Sequence, residues 1–492
     1  MNYILALDQS TSATKAILFD EAGRPLDREV RQHQQLYPEP GWVEHDAEEI
    51  WQNVLEVLRC LLQRHSDKTD RLRCLSLTNQ RETVVAFEKN SGKPLHNAIV
   101  WQCRRGDPLC RELVDSGHEE EVRRKTGLKI DTYFSASKLT WLVRNQAGIK
   151  AKLEADEALL GTIDVYLIYR LTGGQVFATD HTNACRTLLY DIDALRWDDG
   201  LCALFEVPAK ALPQVRESAS IFGQTDLEGT LKRPLPIAGV MGDSQASLFA
   251  QRCFEPGEIK VTFGTGSSIL LNIGQRLRYT DSGAVSTLAW VYQGRATYSF
   301  EGLINYSAAT ISWLKDQLGL IQDSAQSEEL ALSVPDSGGV YLVPAFAGLS
   351  APYWNTEARA AIIGLTAHSS KPHVVRAGLE SIAYQIRDVL EMMRQDAGLE
   401  LQNIQGDGGP TANRLLMQFT ADLSGLELVA SDIPDISPLG ATLAGGLATG
   451  LYDTLEDIAA LPRPVATYTP QMSHQEAESK YAGWQKAVQR VL

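Results

Sequence analysis

Apolar residues near the start of the chain form two short runs separated by a polar turn, and the same arrangement occurs again in the middle. The runs YILAL at 3–7 and KAILF at 15–19 flank the first turn, and the runs EIKVTF at 258–263 and ILLNI at 269–273 flank the second. Short apolar runs bounded by small and hydroxyl-bearing residues predict β-strands, so each segment predicts a strand–turn–strand unit. Because each unit opens about half of the 492-residue chain, we expect two related domains, each beginning with a sheet, that face each other across a cleft.

Longer stretches of the chain place apolar residues three and four positions apart, which predicts amphipathic helices. Asp46 and Glu49 resemble a capping box ahead of one such stretch. Pro372 opens a longer stretch, and Gly398 ends it. The residues after about Pro470 predict a surface helix. Strands alternating with helices indicate an α/β protein.

Composition and charge narrow the class of protein. A chain of 492 residues exceeds one hydrophobic core, which predicts about two to four domains. The net charge of −15 argues against nucleic acid or an anionic membrane as the main partner. The first apolar run stops at Asp8 and no apolar run reaches about 18 residues, so we expect no signal peptide and no membrane span. Seven scattered cysteines without a C-x-x-C pair are typical of reduced thiols in the cytoplasm.

Three turns rich in small residues offer groups that hold phosphate. The turns at Asp8–Thr14 and Gly264–Ser268 present closely spaced backbone N–H groups and hydroxyls, as anion-binding nests do. The third, Gly406–Asn413, places glycines between a short strand and a helix, where a ligand can approach the backbone at the positive end of the helix dipole. Each turn alone is also consistent with a plain turn. Three in this order favour a nucleotide, with its phosphates held by the hairpins from opposite sides and its adenosine on the glycine turn.

Asp243 is the best candidate for a catalytic base. Transfer of a phosphoryl group to an alcohol needs in-line positioning, a metal ion and a carboxylate that accepts the hydroxyl proton. The apolar strand before Asp243 breaks at Gly242, so the carboxylate is presented at the end of the strand. The alternative is an N-cap for the helix that starts at Ser244, and the two roles do not exclude each other.

A polar turn and two aromatic residues are candidates for recognising a polyol. Asn79–Thr83 interrupts two β-rich runs, and the side chains of Arg81 and Glu82 there can donate to and accept from the same hydroxyl. The alternative is a surface turn with an ion pair. Trp101 and Tyr133 can provide an apolar wall, and the alternative for both is a place in the core.

Seven long segments carry a resemblance to a known family: YPEPGWVEHDAEEIW, LTNQRETVVAFEKNSGKPLHNAIVWQCRR, TGLKIDTYFSASKLTWL, TDHTNACRT, FGTGS, VPAFAGLSAPYWNTEARAAIIGLT and LESIAYQIRDVLE. They resemble the FGGY carbohydrate kinases, and within them the glycerol kinases, over nearly the whole chain. The resemblance implies two actin/hexokinase-like (ribonuclease H-like) domains around a central cleft. The N-terminal domain, at 1–250, would bind the polyol and carry the first phosphate hairpin, and the C-terminal domain, at 251–492, would bind the nucleotide.

The same resemblance implies an activity and its cofactors. It implies that ATP and Mg²⁺ serve the phosphorylation of a terminal hydroxyl on a small polyol, glycerol or a close relative. It also implies a cytoplasmic enzyme, and we expect a homodimer or homotetramer.

The resemblance further implies roles for individual residues. The catalytic base is Asp243. The acceptor pocket consists of Arg81, Glu82, Trp101, Tyr133, Asp243 and Ser244. The nucleotide-contacting positions are Asp8, Ser10, Thr11, Ser12, Lys15, Gly264, Thr265, Gly266, Ala308, Gly408, Gly409 and Asn413. The metal ligands are Asp8 and Asp243.

The chain departs from the glycerol kinase pattern at several of these positions. Ser10 stands where the family has glycine in the first turn. Ser244 and Ser268 stand where glycerol kinases have a glutamine and a phenylalanine in the acceptor pocket. Two large side chains thereby become small, which predicts a pocket wide enough for a longer polyol or a ketose. Ala308 and Ser312 replace a glycine and a glutamine near the nucleotide.

Two further interpretations of the sequence stay open. One is an ATP-driven binding protein of the same superfamily, like actin or the heat-shock chaperone ATPases, in which the Arg81–Glu82 turn and Tyr133 would be scaffold. The other is a degenerate kinase that binds ATP and acts as a regulator without sugar transfer. The intact Asp243 and both phosphate turns argue against the second.

The widened pocket leads to a prediction about the acceptor. Four- or five-carbon polyols or ketoses should rival glycerol in kcat/KM, because hydroxyls that find or lack a partner in a buried site decide discrimination. ADP release from ATP, measured over a panel of polyols and ketoses, checks this expectation. A strong preference for glycerol over all longer acceptors would contradict it, and ADP release without any polyol would favour the binding-protein interpretation.

Overall fold

Strands and helices alternate throughout the computed structural model, which describes residues 1–492. The strands are β1 (Tyr3–Gln9), β2 (Ala13–Asp20), β3 (Pro25–Gln32), β4 (Glu44–His45), β5 (Leu72–Asn79), β6 (Val84–Glu88), β7 (Ala98–Ile99), β8 (Ala158–Thr162), β9 (Ala178–Asp180), β10 (Tyr190–Asp191), β11 (Arg196–Trp197), β12 (Gln214–Arg216), β13 (Ile221–Thr225), β14 (Leu235–Gly242), β15 (Ile259–Phe263), β16 (Ser267–Gly274), β17 (Val285–Tyr292), β18 (Arg295–Ile304), β19 (Tyr341–Val343), β20 (Ala361–Ile363), β21 (Asn403–Asp407), β22 (Glu427–Ser431) and β23 (Val465–Tyr468). The helices are α1 (Ala47–Arg64), α2 (Asp107–Asp115), α3 (Glu119–Thr126), α4 (Ser135–Asn145), α5 (Ala147–Glu154), α6 (Ile163–Leu171), α7 (His181–Ala184), α8 (Asp199–Leu204), α9 (Asp243–Ala250), α10 (Ala309–Asp316), α11 (Gln326–Leu332), α12 (Lys371–Ala397), α13 (Arg414–Ser424), α14 (Ile436–Ala448), α15 (Leu455–Ala459) and α16 (His474–Val488). Short 3₁₀ helices lie at Ser66–Arg71, Ala209–Ala211 and Gly409–Ala412.

The chain divides into two compact units, each made of three segments. Unit 1 consists of Met1–Arg252, Ser286–Tyr298 and Asp435–Pro462. Unit 2 consists of Cys253–Val285, Ser299–Pro434 and Arg463–Leu492. The first segment of unit 1 ends within two residues of the domain boundary expected at 250. The segments 286–298 and 435–462 lie in the range expected for the C-terminal domain, but they pack within unit 1.

Unit 1 is built on a six-stranded sheet with the order β13-β14-β5-β1-β2-β3. The predicted hairpin is confirmed: β1 runs antiparallel to β2, with Asp8 opposite Lys15. Both strands extend further into the predicted turn than expected, so that only Ser10–Ser12 remain between them. Strand β5 runs parallel to β1 and to β14, so the carboxyl ends of these three strands lie at one edge. A second sheet of unit 1 has the order β4-β7-β6-β8.

Unit 2 repeats this topology. Its sheet contains the consecutive strands β16-β15-β21-β22-β23, which match β2-β1-β5-β14-β13 of unit 1. The second predicted hairpin is confirmed, with β15 antiparallel to β16 and Thr262 opposite Ser268. Strand β21 runs parallel to β15, as β5 does to β1 in unit 1. The similarity of the two hairpins in sequence therefore reflects a similarity of the sheets that they open.

Helix ends follow local rules at the two predicted features, except that the capping box at the start of α1 is incomplete. Asp46 caps α1, where its carboxylate accepts from the amide of Glu48 at 2.8 Å. The carboxylate of Glu49 accepts from the amide of Gln34 at 3.2 Å, and no hydrogen bond returns to Asp46, so the predicted capping box is only half formed. Helix α12 ends at Gly398, which has φ +56° and forms a left-handed cap as expected.

The C-terminal helix α16 was predicted to lie on the surface, but one of its faces is buried. Trp484 is fully buried, and its indole N–H donates to the carboxylate of Asp388 on α12 at 2.8 Å. Tyr481 donates to the other oxygen of the same carboxylate at 2.7 Å. The sequence after Pro470 has too few apolar residues to reveal this burial, because two large aromatic residues provide most of it.

Two further expectations concern membranes and cysteines. Every helix lacks the combination of length and apolarity that crossing a membrane requires. All seven cysteines are free thiols, which agrees with the absence of a disulfide framework predicted from their spacing.

Helix α14 packs against α9 and the strands of unit 1 at a distance that only glycine permits. A Cβ at Gly440 would lie 1.8 Å from the carbonyl oxygen of Ala246 on α9. A Cβ at Gly445 would lie 2.3 Å from Oγ of Ser76 on β5. The glycines of α14 thus bring its backbone onto the sheet that carries β5 and β14.

This close approach predicts a large effect of a single methyl group. Gly440→Ala should destabilise the protein by roughly 1–3 kcal/mol, because the backbone of α9 has to move. Gly148→Ala is the matched control, since Gly148 is also helical but no atom lies within 4 Å of its Cβ position. The control should be neutral or stabilise by about 0.5–1 kcal/mol. Urea unfolding of both variants measures the difference, and equal midpoints would contradict the packing argument.

Candidate active site

The turn between β5 and β6 carries two charged residues into the interior of unit 1. Strand β5 belongs to the six-stranded sheet and β6 to the four-stranded sheet, so residues 80–83 cross from one sheet to the other. The side chains of Arg81 and Glu82 are only 4% and 2% exposed, and Glu82 adopts φ +62°. The alternative of a surface turn with an ion pair is therefore wrong. Charged residues are rarely buried without partners, which directs attention to the groups around them.

Two buried arginines alternate with two carboxylates at this turn. Nε of Arg186 donates to Oε1 of Glu82 at 2.6 Å. Nε of Arg81 lies 3.9 Å from the same oxygen and 3.3 Å from Oδ1 of Asp243. Nη1 of Arg81 donates to Oε1 of Gln245 at 3.1 Å. Arg81 is thus held between both acids, and its direction is fixed by Gln245.

Asp243 lies at the edge of this charge cluster and remains partly accessible. Strand β14 ends at Gly242 and Asp243 is the first residue of α9. The N-cap is Gly242, so the alternative role of Asp243 as the cap residue is wrong. Oδ1 of Asp243 accepts from the amide of Ser244 at 2.7 Å, and the side chain is 41% exposed. Ser244 lies beside it at the start of the same helix.

The two predicted aromatic residues form a pair outside the core. Trp101 and Tyr133 are half-buried, and their ring centroids are 5.2 Å apart in an edge-to-face arrangement. The indole N–H of Trp101 donates to Oγ1 of Thr11 at 3.0 Å, and its amide donates to Oγ1 of Thr83 at 3.2 Å. Trp101 therefore connects the first hairpin turn to the Arg81–Glu82 turn.

The first hairpin places an ion pair across its two strands. Nζ of Lys15 lies 3.1 Å from Oδ2 of Asp8 and 3.1 Å from Oδ1 of Asp435 at the start of α14. Arg28 pairs with the other oxygen of Asp435 at 3.2 Å. Ser10 closes the turn, since its hydroxyl donates to the carbonyl of Ala13 at 2.9 Å. The serine that replaces the family glycine thus stabilises the turn.

The charges around Asp8 oppose each other. Burial raises the pKa of Asp8 to about 6, although Lys15 lowers it, and the carboxylates of Asp243 and Asp435 raise it further. Burial lowers the pKa of Lys15, but the charges of Asp8 and Asp435 outweigh this and raise it. Burial is the largest of these influences, and it outweighs the ion pair with Lys15.

The candidate nucleotide residues of unit 2 lie in two turns that contact each other. In the first, the carbonyls of Gly264 and Thr265 accept from the amides of Ala308 and Ser307 at 3.0 and 2.9 Å, which ties the turn to the start of α10. In the second turn, Gly408 has φ +101°. A Cβ at Gly408 would lie 2.0 Å from the carbonyl oxygen of Phe263, which directly precedes the first turn. The structure thus brings the predicted positions in both turns together, with the side chain of Thr265 exposed.

The remaining predicted positions differ in their exposure and in their hydrogen bonds. Gly409 has no atom within 4 Å of a Cβ position, so its surface is open. Asn413 caps α13, since its side-chain oxygen accepts from the amide of Leu416 at 2.9 Å. Ser12 is exposed, and Ser10 and Thr11 are half-buried.

The carboxylates of unit 1 suit Mg²⁺ when phosphate and water oxygens complete its coordination. No group of three or more His, Cys, Asp or Glu side chains converges anywhere in the structure. Mg²⁺ is commonly bound by one or two carboxylates together with substrate phosphates and water. Asp8, near the end of β1, and Asp243, directly after β14, supply two carboxylates at the same edge of the six-stranded sheet.

Several residues of the site were not predicted from the sequence. Arg186, Gln245 and Asp435 each contact a predicted residue, but their partners lie far away along the chain. The bonds Arg186–Glu82 and Lys15–Asp435 span 104 and 420 positions. The only indication in the sequence is that Arg186 lies in the segment TDHTNACRT.

Comparison with protein families accounts for nearly the whole chain. Residues 3–250 match the N-terminal domain of the FGGY family of carbohydrate kinases, and residues 259–449 match its C-terminal domain. The chain belongs to this family. This FGGY kinase is 47% identical to glycerol kinase 1 of Thermotoga maritima over 490 residues. The alignment spans 100% of this chain and 99% of that protein. It is 46% identical to the glycerol kinase of Carboxydothermus hydrogenoformans, over 99% of this chain and 98% of that protein.

Solved structures give the same family and fold. The Plasmodium falciparum glycerol kinase, crystallised with ADP, superposes with a TM-score of 0.95 at 35% identity and covers 100% of this chain and 98% of that chain. A xylulose kinase of Lactobacillus acidophilus has a TM-score of 0.87 at 21% identity, over 99% of this chain and 97% of that chain, which shows a shared fold. The expected FGGY fold, with two α/β domains of the actin/hexokinase type, is thereby confirmed.

The buried carboxylate of Asp8 predicts how the stability of this FGGY kinase depends on pH. The pKa of Asp8 is about 6 in the folded state and 3.8 for an ordinary Asp, so the folded protein holds the proton more tightly. Between about pH 4 and 6 the folded state binds more protons than the unfolded chain, and the free energy of unfolding falls as pH rises. Above about pH 6 this contribution stays constant. Over this pH range the contribution of Asp8 to the free energy of unfolding falls by about 1–3 kcal/mol.

Asp8→Asn should remove this slope, while Lys15 keeps Asp435 as its partner. Urea midpoints of both proteins, measured from pH 4 to pH 8, isolate the contribution of Asp8, because all other groups titrate in both. A constant difference between the two curves over this range would contradict the assignment.

Proposed function

We propose that this chain transfers the γ-phosphoryl group of ATP to a terminal hydroxyl of glycerol or a close relative, with Asp243 as the base. The observation that carries the proposal is the position of Asp243. Its carboxylate is 41% exposed and lies 3.3 Å from the buried guanidinium of Arg81. In a chain of the FGGY family with relatives named glycerol kinases, an accessible carboxylate beside a buried guanidinium supports the proposal of a proton acceptor next to an alcohol-binding group.

The Arg81–Glu82 turn is suited to bind two neighbouring hydroxyls. An arginine only donates hydrogen bonds and an ionised carboxylate only accepts them. Arg81 can therefore donate to one hydroxyl of a vicinal pair while Glu82 accepts from the other. Both side chains are buried, and a buried site that hydrogen-bonds a substrate hydroxyl discriminates strongly against molecules that lack it. The edge-to-face pair of Trp101 and Tyr133 would cover the apolar side of the carbon chain.

Asp243 would act by accepting the proton of the attacked hydroxyl. General base catalysis needs the carboxylate within hydrogen-bond reach of that hydroxyl. A hydroxyl bound by Arg81 meets this condition, because Arg81 and Asp243 are direct neighbours. Positioning and electrostatic stabilisation are the main contributions that a protein makes to phosphoryl transfer, and a carboxylate that accepts the hydroxyl proton adds to them.

Each unit carries groups that suit a nucleotide. In unit 2 the exposed Thr265 and the open surface at Gly409 are available. In unit 1 Lys15 carries the positive charge, and Ser10–Ser12 supply N–H groups and hydroxyls. Asp8 and Asp243 would hold the magnesium ion, which spreads the charge of the phosphates during transfer.

A longer acceptor is the second candidate, and one observation favours it. Oγ of Ser268 on β16 is buried and has no hydrogen-bond partner. A buried unpaired hydroxyl costs free energy that an added hydrogen bond would recover. Because Ser268 stands at a position where glycerol kinases have a phenylalanine that contacts the acceptor, a further substrate hydroxyl is the partner that we propose for it.

The role of Asp243 predicts the effect of its removal. Asp243→Asn should lower polyol-dependent ADP release by roughly 10²–10⁴-fold, because the amide cannot accept the proton. ATP binding, measured by calorimetry, should remain largely intact. Asp199→Asn is the matched control, since Asp199 is also the first residue of a helix in unit 1 but is exposed.

The control variant should turn over like the wild type. Near-normal turnover of Asp243→Asn would exclude Asp243 as the base. ADP release by the wild type that is independent of any polyol would refute the proposed reaction itself.

A further inference from the structure

One short segment of unit 1 bonds both to the residue before Asp243 and to the two ends of the Arg81–Glu82 turn region, Asn79 and Glu82. It runs from Asp180 at the end of β9 through α7 to Arg186. Oγ1 of Thr182 accepts from the amide of Gly242, the residue before Asp243, at 2.8 Å. The side chain of Asn183 exchanges two hydrogen bonds with that of Asn79, at 2.9 and 3.2 Å. Asn79 ends β5 just before the Arg81–Glu82 turn, and Arg186 binds Glu82 directly.

A single carboxylate holds this segment in place. Asp180 is fully buried. Its Oδ2 accepts from the hydroxyls of Thr182 and Ser218, both at 2.7 Å, and from the amide of Thr182 at 3.0 Å. Its Oδ1 accepts from the amide and the side-chain N–H of Asn183, at 3.0 and 2.9 Å. Five donors thus saturate one carboxylate, and they fix the side chains of Thr182 and Asn183.

The hydroxyl of Thr182 is directed by this arrangement. A hydroxyl can donate one hydrogen bond and accept through two lone pairs. The hydroxyl of Thr182 donates its hydrogen to Asp180. The lone pairs of Thr182 are then left for the amide of Gly242, which is where the structure has that bond. The bond fixes the last residue of β14, and with it the first residue of α9, which is Asp243.

The position of Gly242 also determines how close Asp243 comes to Arg81. A Cβ at Gly242 would lie 2.7 Å from Cγ of Arg81, so the backbone touches the arginine stem. A shift of this backbone changes the distance of 3.3 Å between Arg81 and Asp243. Misplacement of a reacting group by about 1 Å can cost about 10²-fold in rate.

We propose that Thr182, held by Asp180, is a positioning residue for Asp243. Its hydroxyl fixes the backbone that carries the base, while Asn183, on the same carboxylate, fixes the start of the Arg81–Glu82 turn. The base and the acceptor-binding turn are thereby aligned by one anchor. This proposal rests on the proposed function, because it assigns Asp243 the role of the base.

The experiment compares two substitutions that separate the hydroxyl from the shape of the side chain. Thr182→Val keeps the shape and removes the hydroxyl, and Thr182→Ser keeps the hydroxyl and removes a methyl group. Thr182→Val should lower kcat by about 10-fold or more and leave the KM for ATP within about twofold. Thr182→Ser should retain most of the wild-type kcat. Thr442→Val is the control, since Thr442 is buried and loses a bond to the Pro438 carbonyl on its own helix.

A packing role for Thr182 would give the opposite order. Loss of kcat in Thr182→Ser equal to that in Thr182→Val would overturn the proposal, as would a loss in Thr442→Val of the same size. Combination with Asp243→Asn adds a second test. Thr182→Val should lower kcat little further in that background, because the group that it positions is gone, and independent losses that multiply would refute positioning through Asp243.

Amide hydrogen exchange separates this proposal from the proposed reaction. The amide of Gly242 should exchange faster in Thr182→Val than in the wild type or in Thr182→Ser, whatever the acceptor is. Unchanged exchange would overturn the role of the Thr182 bond. A wild-type protein that shows no polyol-dependent ADP release would refute the reaction, while the exchange result would still report on that bond.

Discussion

The burial of Glu82 is the constraint on which the candidate active site depends. A carboxylate taken out of water loses several kcal/mol of solvation, and the folded chain has to compensate for this loss with positive charge. Arg186 does so directly at 2.6 Å, and Arg81 approaches the same oxygen to 3.9 Å. Once Arg81 is inside, Asp243 and Gln245 become its outer partners. The position of Asp243, the proposed base, thus follows from the burial of Glu82 and of the arginines that compensate its charge.

This arrangement gives the two carboxylates different properties. Glu82 is buried, paired with Arg186 and held in an uncommon backbone conformation at φ +62°, which suits a group that orients a ligand. Asp243 contacts the same arginine, but 41% of its side chain is exposed, which suits a group that exchanges a proton. A buried ion pair contributes little to stability compared with apolar packing. Its presence here is best explained by binding rather than by folding.

The parts of the fold that depend on neighbouring residues were predictable from the sequence. The hairpins at β1–β2 and β15–β16, the cap at Asp46 and the left-handed end at Gly398 all arise from residues within a few positions of each other. The burial of Arg81 and Glu82 was not predictable, because β5 and β6 look like two strands of one hairpin and instead enter different sheets. Partners such as Arg186 and Asp435, more than 100 positions away, become neighbours only through the topology.

The two hairpins share a topology but differ in the pair that faces across their strands. In unit 1 the pair is Asp8 opposite Lys15, and in unit 2 the equivalent pair is Thr262 opposite Ser268. The first pair brings full charges, which suit a metal ion and a phosphate group. The second brings neutral hydroxyls beside a turn of glycines, where backbone groups are the main donors. A repeated fold can therefore carry different chemistry in its two copies, because the two residue differences at an equivalent pair exchange full charges for neutral hydroxyls.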